Sequence, residues 1–175
     1  MDQRLDGVAD LALSYREVGA TGTALPKGYR HLGRDVIIGR GAEAFARAGE
    51  QLMTWGAQRG AGLTIVASAD RVATGVDVIV GFGPRWMGMH GPCRVVHTVE
   101  QPDRVGFAYG TLHGHPVSGE ESFNVLLDDE GRVRFVLIAF SRPATPLAKI
   151  AGPFGAMAQR SIADRYADAL AAVAR

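Results

Sequence analysis

Between residues 63 and 141 the chain sets six strongly apolar runs almost end to end, and this is the feature that most restricts its fold. The runs cover residues 63–69, 74–82, 93–100, 105–112, 120–127 and 132–141. Their breaks are Asp70, residues 83–91, the Gln101-Pro102-Asp103 turn, and residues 113–119 and 128–131, all rich in turn-forming residues. Connections this short leave no room for a crossover helix, so consecutive strands run antiparallel. Upstream, residues 30–38 end in Val36, Ile37 and Ile38 and read as a further strand. Residues 41–59 then change period: Phe45, Gly49, Leu52, Met53 and Gly56 recur at three- and four-residue spacing, as on one face of a helix. Beyond Pro143, Leu147, Ile150, Phe154, Ile162, Tyr166 and Leu170 repeat at helical spacing to the end of the chain, with Gly152-Pro153 expected to kink or split that helix. Residues 1–28 read as a mostly irregular N-terminal segment with a short helical possibility over 8–15.

The expected fold is therefore α+β, in the order β-α-β-β-β-β-β-β-α. A curved antiparallel sheet of about seven strands wraps around a long C-terminal helix at 144–175, and this arrangement covers every apolar face. With 175 residues, 47% of them apolar, the chain can bury one sizeable core, and residues 1–175 are read as a single domain. Glycine, at 23 residues, is spread between the apolar runs and suits bends in such a sheet. Basic residues number 19 against 18 acidic, so no charge excess points to nucleic acid or an anionic membrane. No stretch approaches the roughly 18 apolar residues of a spanning helix. Cys93 is the single cysteine, which excludes an intrachain disulfide, and a cytoplasmic location is the default expectation.

The element order resembles the START-like, or Bet v 1-like (SRPBCC), helix-grip superfamily. Closer likeness lies in the motifs Gly28-Tyr29-Arg30-His31, Pro92-Cys93-Arg94-Val95-Val96, Phe107-Ala108-Tyr109-Gly110-Thr111-Leu112 followed by Gly114-His115-Pro116, Gly119-Glu120-Glu121 with Phe123, and Phe140-Ser141-Arg142-Pro143. These look like the DUF1990 (UPF0548) family, over nearly the whole chain. The resemblance implies a cavity between sheet and terminal helix that takes an apolar ligand. It implies no particular reaction, cofactor or metal.

Strand alternation offers a separate argument about which polar groups face inward. With even-length turns throughout, Glu121, Phe123 and Val125 share a face with Arg134, Ile138, Phe140 and Arg142, with Gly106, Ala108 and Gly110, and with Cys93, Val95 and His97. That face would bring His97, Glu121 and Arg142 together beside a row of small residues. One odd-length connection inverts everything beyond it. The bland reading is a self-neutralising Glu121–Arg142 ion pair; the functional one has Arg142 binding an anionic or carbonyl group while a carboxyl or imidazole handles a proton. Glu121, Glu120 and His115 are the candidate acids or bases. Tyr29, His97, Tyr109, Gly110, His115, Glu121 and Arg142 are the candidate ligand contacts.

Weaker signals point elsewhere. His113-Gly114-His115 invites a metal, but it sits at a hairpin tip with no second ligand cluster, so no metal is expected. Gly81-Phe82-Gly83 lacks the third glycine and the helix of a dinucleotide loop. Cys93 reads as a small buried hydrophobe. Arg85, Arg94, Arg104, Arg132 and Arg134 read as a solvated face. Trp86, Met87 and Met89 form a packed loop or a lid, and Phe154 and Met157 a cavity floor. The leading expectation is a protein that binds a small hydrophobic or amphipathic molecule without a cofactor. The alternatives are an enzyme on the same scaffold, of cyclase or hydrolase type, and a protein-interaction module with a filled interior.

Overall fold

A computed structural model describes residues 5–83 and 89–175; at 89, 147–148 and 150–156 only the backbone is described. Seven strands form one antiparallel sheet: β1 (Arg30–Arg40), β2 (Thr64–Ala67), β3 (Asp77–Phe82), β4 (Met89–Gln101), β5 (Arg104–Thr111), β6 (Val117–Leu127) and β7 (Arg132–Pro143). Their order across the sheet is β1-β7-β6-β5-β4-β3-β2, so every pair but β1–β7 joins sequence neighbours. The helix α3 (Pro146–Ala174) runs as one element through Gly152 and Pro153. It packs against β1 and β7 and against two shorter helices, α1 (Gly41–Met53) and α2 (Gly56–Gly60).

The helix expected over 41–59 is two helices, because Trp55 takes a left-handed backbone (φ 63°) between them. The turn drives the indole fully into the core, where its N–H donates to the Ala69 carbonyl at 3.1 Å and its ring meets Phe107 edge-on. Burial of the largest side chain offsets the roughly 1–3 kcal/mol that such a backbone costs. From Trp55 the core continues through Phe107, Phe123 and Tyr166, with centroids 5.0 Å apart for Phe107–Phe123 and 5.3 Å for Phe123–Tyr166.

No helix forms over residues 8–15; turns lead to an isolated bridge between Leu13 and Leu112. The reason is Arg94. Its guanidinium donates to the carbonyls of Val8, Ala9 and Leu11, which a helix would have used internally, and its Nε donates to Asp77 Oδ1 at 2.6 Å. Arg94 is thus a tether for the N-terminal segment and not part of a solvated face.

Three connections set which side chains look toward the helices, and they overturn the even-length reading. Leu127 pairs with Val133, and Asp128 N–H donates to Arg132 O, leaving a three-residue turn, 129–131, closed by Gly131 at φ +71°. Five residues, 112–116, link β5 to β6. In β4 a bulge at Val96 inverts the strand between Val95 and His97, although the two-residue Pro102-Asp103 turn is as expected. The inner face therefore carries Glu121, Phe123 and Val125 with Ala139, Leu137 and Phe135, and with Tyr109 and Phe107. Arg134, Ile138, Phe140 and Arg142 lie on the outer face, as do Gly106, Ala108, Gly110 and His97. Arg85, Trp86 and Met87 fall outside the described residues, as does the side chain of Phe154. Met157 is 64% exposed and forms no cavity floor.

Candidate functional site

Where β5 and β6 pass beneath α3, their inner faces bring two polar side chains together. Tyr109 and Glu121 are direct register partners, and the Tyr109 hydroxyl donates to Glu121 Oε2 at 3.0 Å. Among the described residues this is the carboxyl's hydrogen-bond donor, and no cation stands beside it. Tyr166 of α3 lines the same pocket, its ring packed edge-on to Phe123 at 5.3 Å. Burial pushes the Glu121 carboxyl up to about 7, against a smaller opposite effect of the Tyr109 hydroxyl. Burial also raises the Tyr109 and Tyr166 phenols and the Cys93 thiol, so all three stay protonated near neutrality.

Although it sits deep in the fold, Glu121 is only half-buried, and the surface it keeps belongs to a pocket of about 140 Å³. Leu32, Val80, Ala139 and Ile162 supply apolar walls, while Ser141 and Gln159 add polar atoms. Gln159 Nε2 donates to Ser141 Oγ at 3.3 Å. His115 enters the wall from the β5–β6 connection, its Nδ1 accepting the Val117 N–H at 3.0 Å. Burial pushes this imidazole down to about 4, which keeps it neutral. It can tuck in because residue 91 is glycine: a Cβ there would lie 2.0 Å from the His115 ring. His113, two residues earlier, is exposed, so the two imidazoles part.

Glu120, the neighbouring carboxyl, points to the other face of β6 and has a different task. Its Oε2 receives the Tyr15 hydroxyl and the Gly19 N–H, both at 2.7 Å, and its Oε1 the N–H and hydroxyl of Thr21 at 3.1 and 2.5 Å. These four donors hold the N-terminal segment against the sheet. Gly110 makes room for it, since a Cβ there would lie 2.0 Å from the Tyr15 hydroxyl.

Of the residues picked from sequence, the structure brings Glu121, Tyr109 and His115 to one pocket and places the others elsewhere. Arg142 is exposed on the outer face, its guanidinium 4.7 Å from the centre of the Tyr29 ring, so it forms no pair with Glu121. Tyr29 packs edge-on to Phe140 and donates to Glu17 at 2.9 Å. His97 is exposed beyond the Val96 bulge. Sequence reasoning missed Tyr166 and Gln159 as pocket residues, for helical spacing gives a helix's buried stripe but not where it crosses the sheet.

The family described as "Domain of unknown function (DUF1990)" matches residues 14–169. A UPF0548 protein of Deinococcus radiodurans is 37% identical over 168 residues, covering 89% of this chain and 84% of its own. Among solved structures, a hypothetical protein of Helicobacter pylori superposes with a TM-score of 0.67 at 11% identity, over 94% of this chain and 96% of its own. The Zhui aromatase/cyclase of a Streptomyces species gives 0.58 at 14%, over 83% and 93%. At these identities the structural likeness establishes the helix-grip fold.

Proposed function

Because the chain belongs to the DUF1990 family and folds as a helix-grip protein, we propose that it binds a small molecule in the pocket between the sheet and α3, oriented by Glu121. One observation carries this reading: a carboxyl deep in the fold keeps open surface toward a hollow and has a phenol, not a cation, as its partner. A purely structural buried carboxyl would be neutralised or fully hydrogen-bonded, as Glu120 is by its four donors. The pocket is close in size to the roughly 150 Å³ cavity that accommodates benzene, so its occupant is a single ring or a short branched chain. Long fatty acids and fused-ring substrates exceed it.

The reading is tested by ligand-observed NMR with a library of single-ring fragments. Wild-type protein should show saturable binding that Ala139→Leu, which places a larger side chain in the pocket wall, removes. Absence of any saturable binder, or binding indifferent to that substitution, defeats the proposal.

A second reading, proton-transfer catalysis, is favoured by the Glu121 carboxyl's displacement to about 7, where it can both release and take up a proton near neutral pH. On this reading Glu121 is the acid or base and Tyr109 its hydrogen-bonded partner. It predicts a turnover that Glu121→Gln abolishes, beyond any loss of binding.

A further inference from the structure

We infer that the molecule this pocket takes is a small organic cation, an ammonium carried on one ring or a short branched chain and seated between Glu121 and the rings of Tyr109 and Tyr166. This deepens the binding reading and rests on it.

The charge of the walls selects the ligand. Among the described residues that line the pocket there is no lysine and no arginine. Among the described residues the titratable groups facing it are Cys93 from β4, Tyr109 from β5, Glu121 from β6, Tyr166 from α3 and His115 from the β5–β6 connection, while Leu32 of β1, Val80 of β3 and Ala139 of β7 add none. The thiol and both phenols are held protonated by burial, and the imidazole is held unprotonated. Glu121 is then the group that sets the pocket's charge, and its sign is negative or zero. Glu120, behind the same strand, can only add to a negative field.

An anionic ligand would meet a carboxylate with no positive group to receive it, at a large desolvation penalty. A neutral alcohol could donate one hydrogen bond to the carboxyl. A cation does more: it pairs with the carboxylate oxygen that the Tyr109 hydroxyl leaves free, beside two aromatic rings whose electrons favour positive charge. Glu121 shares the pocket with both rings. Binding of a cation also favours the ionised carboxyl, so the same group that is reluctant to ionise in the empty pocket does so when the ligand arrives. The wall chemistry is thus a filter for charge as well as for size.

Three size-matched probes separate the possibilities: benzylamine, benzyl alcohol and benzoate, titrated into the full chain by calorimetry at pH 8. Benzylamine should bind at least tenfold more tightly than benzyl alcohol, and benzoate at least tenfold more weakly than the alcohol. Glu121→Gln should erase the amine's advantage. Since that variant could misfold, a second measurement uses wild type alone. Benzylamine affinity should fall at least tenfold between pH 8 and pH 5.5, where the amine stays charged and Glu121 takes up its proton, while benzyl alcohol stays flat. Benzoate binding as tightly as benzylamine, or an amine preference that survives at pH 5.5 or in Glu121→Gln, overturns the cation inference but leaves a pocket that binds small molecules. Silence from all three probes overturns both.

Discussion

Adjacent residues of β6 show how environment gives two identical side chains different work. Glu120 is surrounded by donors and holds the N-terminal segment, whereas Glu121 has a phenol and a hollow. Another half-buried titratable group of the pocket, His115, is displaced the opposite way, and the two leave opposed marks on stability. A carboxyl raised from 4.5 to about 7 contributes stability that is present below 4.5 and lost as pH rises through 7. An imidazole lowered from 6.5 to about 4 contributes stability that is present above 6.5 and lost as pH falls through 4. Each effect is bounded at about 3 kcal/mol, reduced by the solvent the pocket admits. Glu121→Gln should therefore melt higher than wild type at pH 8, with the difference vanishing near pH 4.5. His115→Asn, whose amide oxygen can accept the Val117 N–H in place of Nδ1, should gain over wild type as pH drops from 6.5 to 4. Calorimetric melts across pH 4 to 8 check both; a difference that does not change with pH removes the burial argument for that residue.

At the scale of elements, the N-terminal segment is a strap across the outer face of the sheet. Glu120 accepts from its 15–21 stretch and Arg94 donates to its 8–11 stretch, so one buried carboxyl and one guanidinium fasten both ends. Glu120→Ala strands the Tyr15 hydroxyl and two donors of Thr21 and should lose at least about 3 kcal/mol in urea denaturation. Proteolysis should then cut within 5–29 before the sheet is attacked; an unchanged denaturation midpoint would mean that the strap contributes nothing. Elements were also where the sequence was most readable. Apolar runs and turn residues placed the strands and their antiparallel sense, because both are local properties. Side-chain direction was not readable, because it is inherited through every connection. A three-residue turn, a five-residue link and the bulge at Val96 each rotated what followed by half a turn, separating Arg142 and His97 from Glu121. Gly131 after Asp128-Asp129-Glu130 is the one local signal that pointed to an odd turn. The roles of Glu120 and Tyr166 were out of reach for a different reason. Each depends on a partner about 100 or 45 residues away, Tyr15 for one and Glu121 for the other, which no spacing rule connects.

For the whole molecule the question is why a sheet and a helix that could close on each other leave a gap. Phe107, Phe123, Phe135 and Leu137 fill the inner face at one end to complete burial, yet beside Ala139 the same face opens into about 140 Å³. The pocket opens to solvent, so its walls forgo packing contacts without the full penalty of an enclosed void, and its polar atoms can hold water. A residue at position 139 larger than alanine would recover part of this at no evident expense to the sheet, because Ala139 pairs normally with Glu121 on one side and Leu32 on the other. Ala139→Leu should accordingly leave the urea midpoint unchanged or raise it while abolishing uptake of the fragment probes. Such a gain in stability with loss of binding would identify the hollow as functional space that the fold sustains against its own packing. If the variant instead unfolds by more than about 2 kcal/mol, as overpacked cores do, and still takes up probe, then the space beside Ala139 is neither empty nor the binding site.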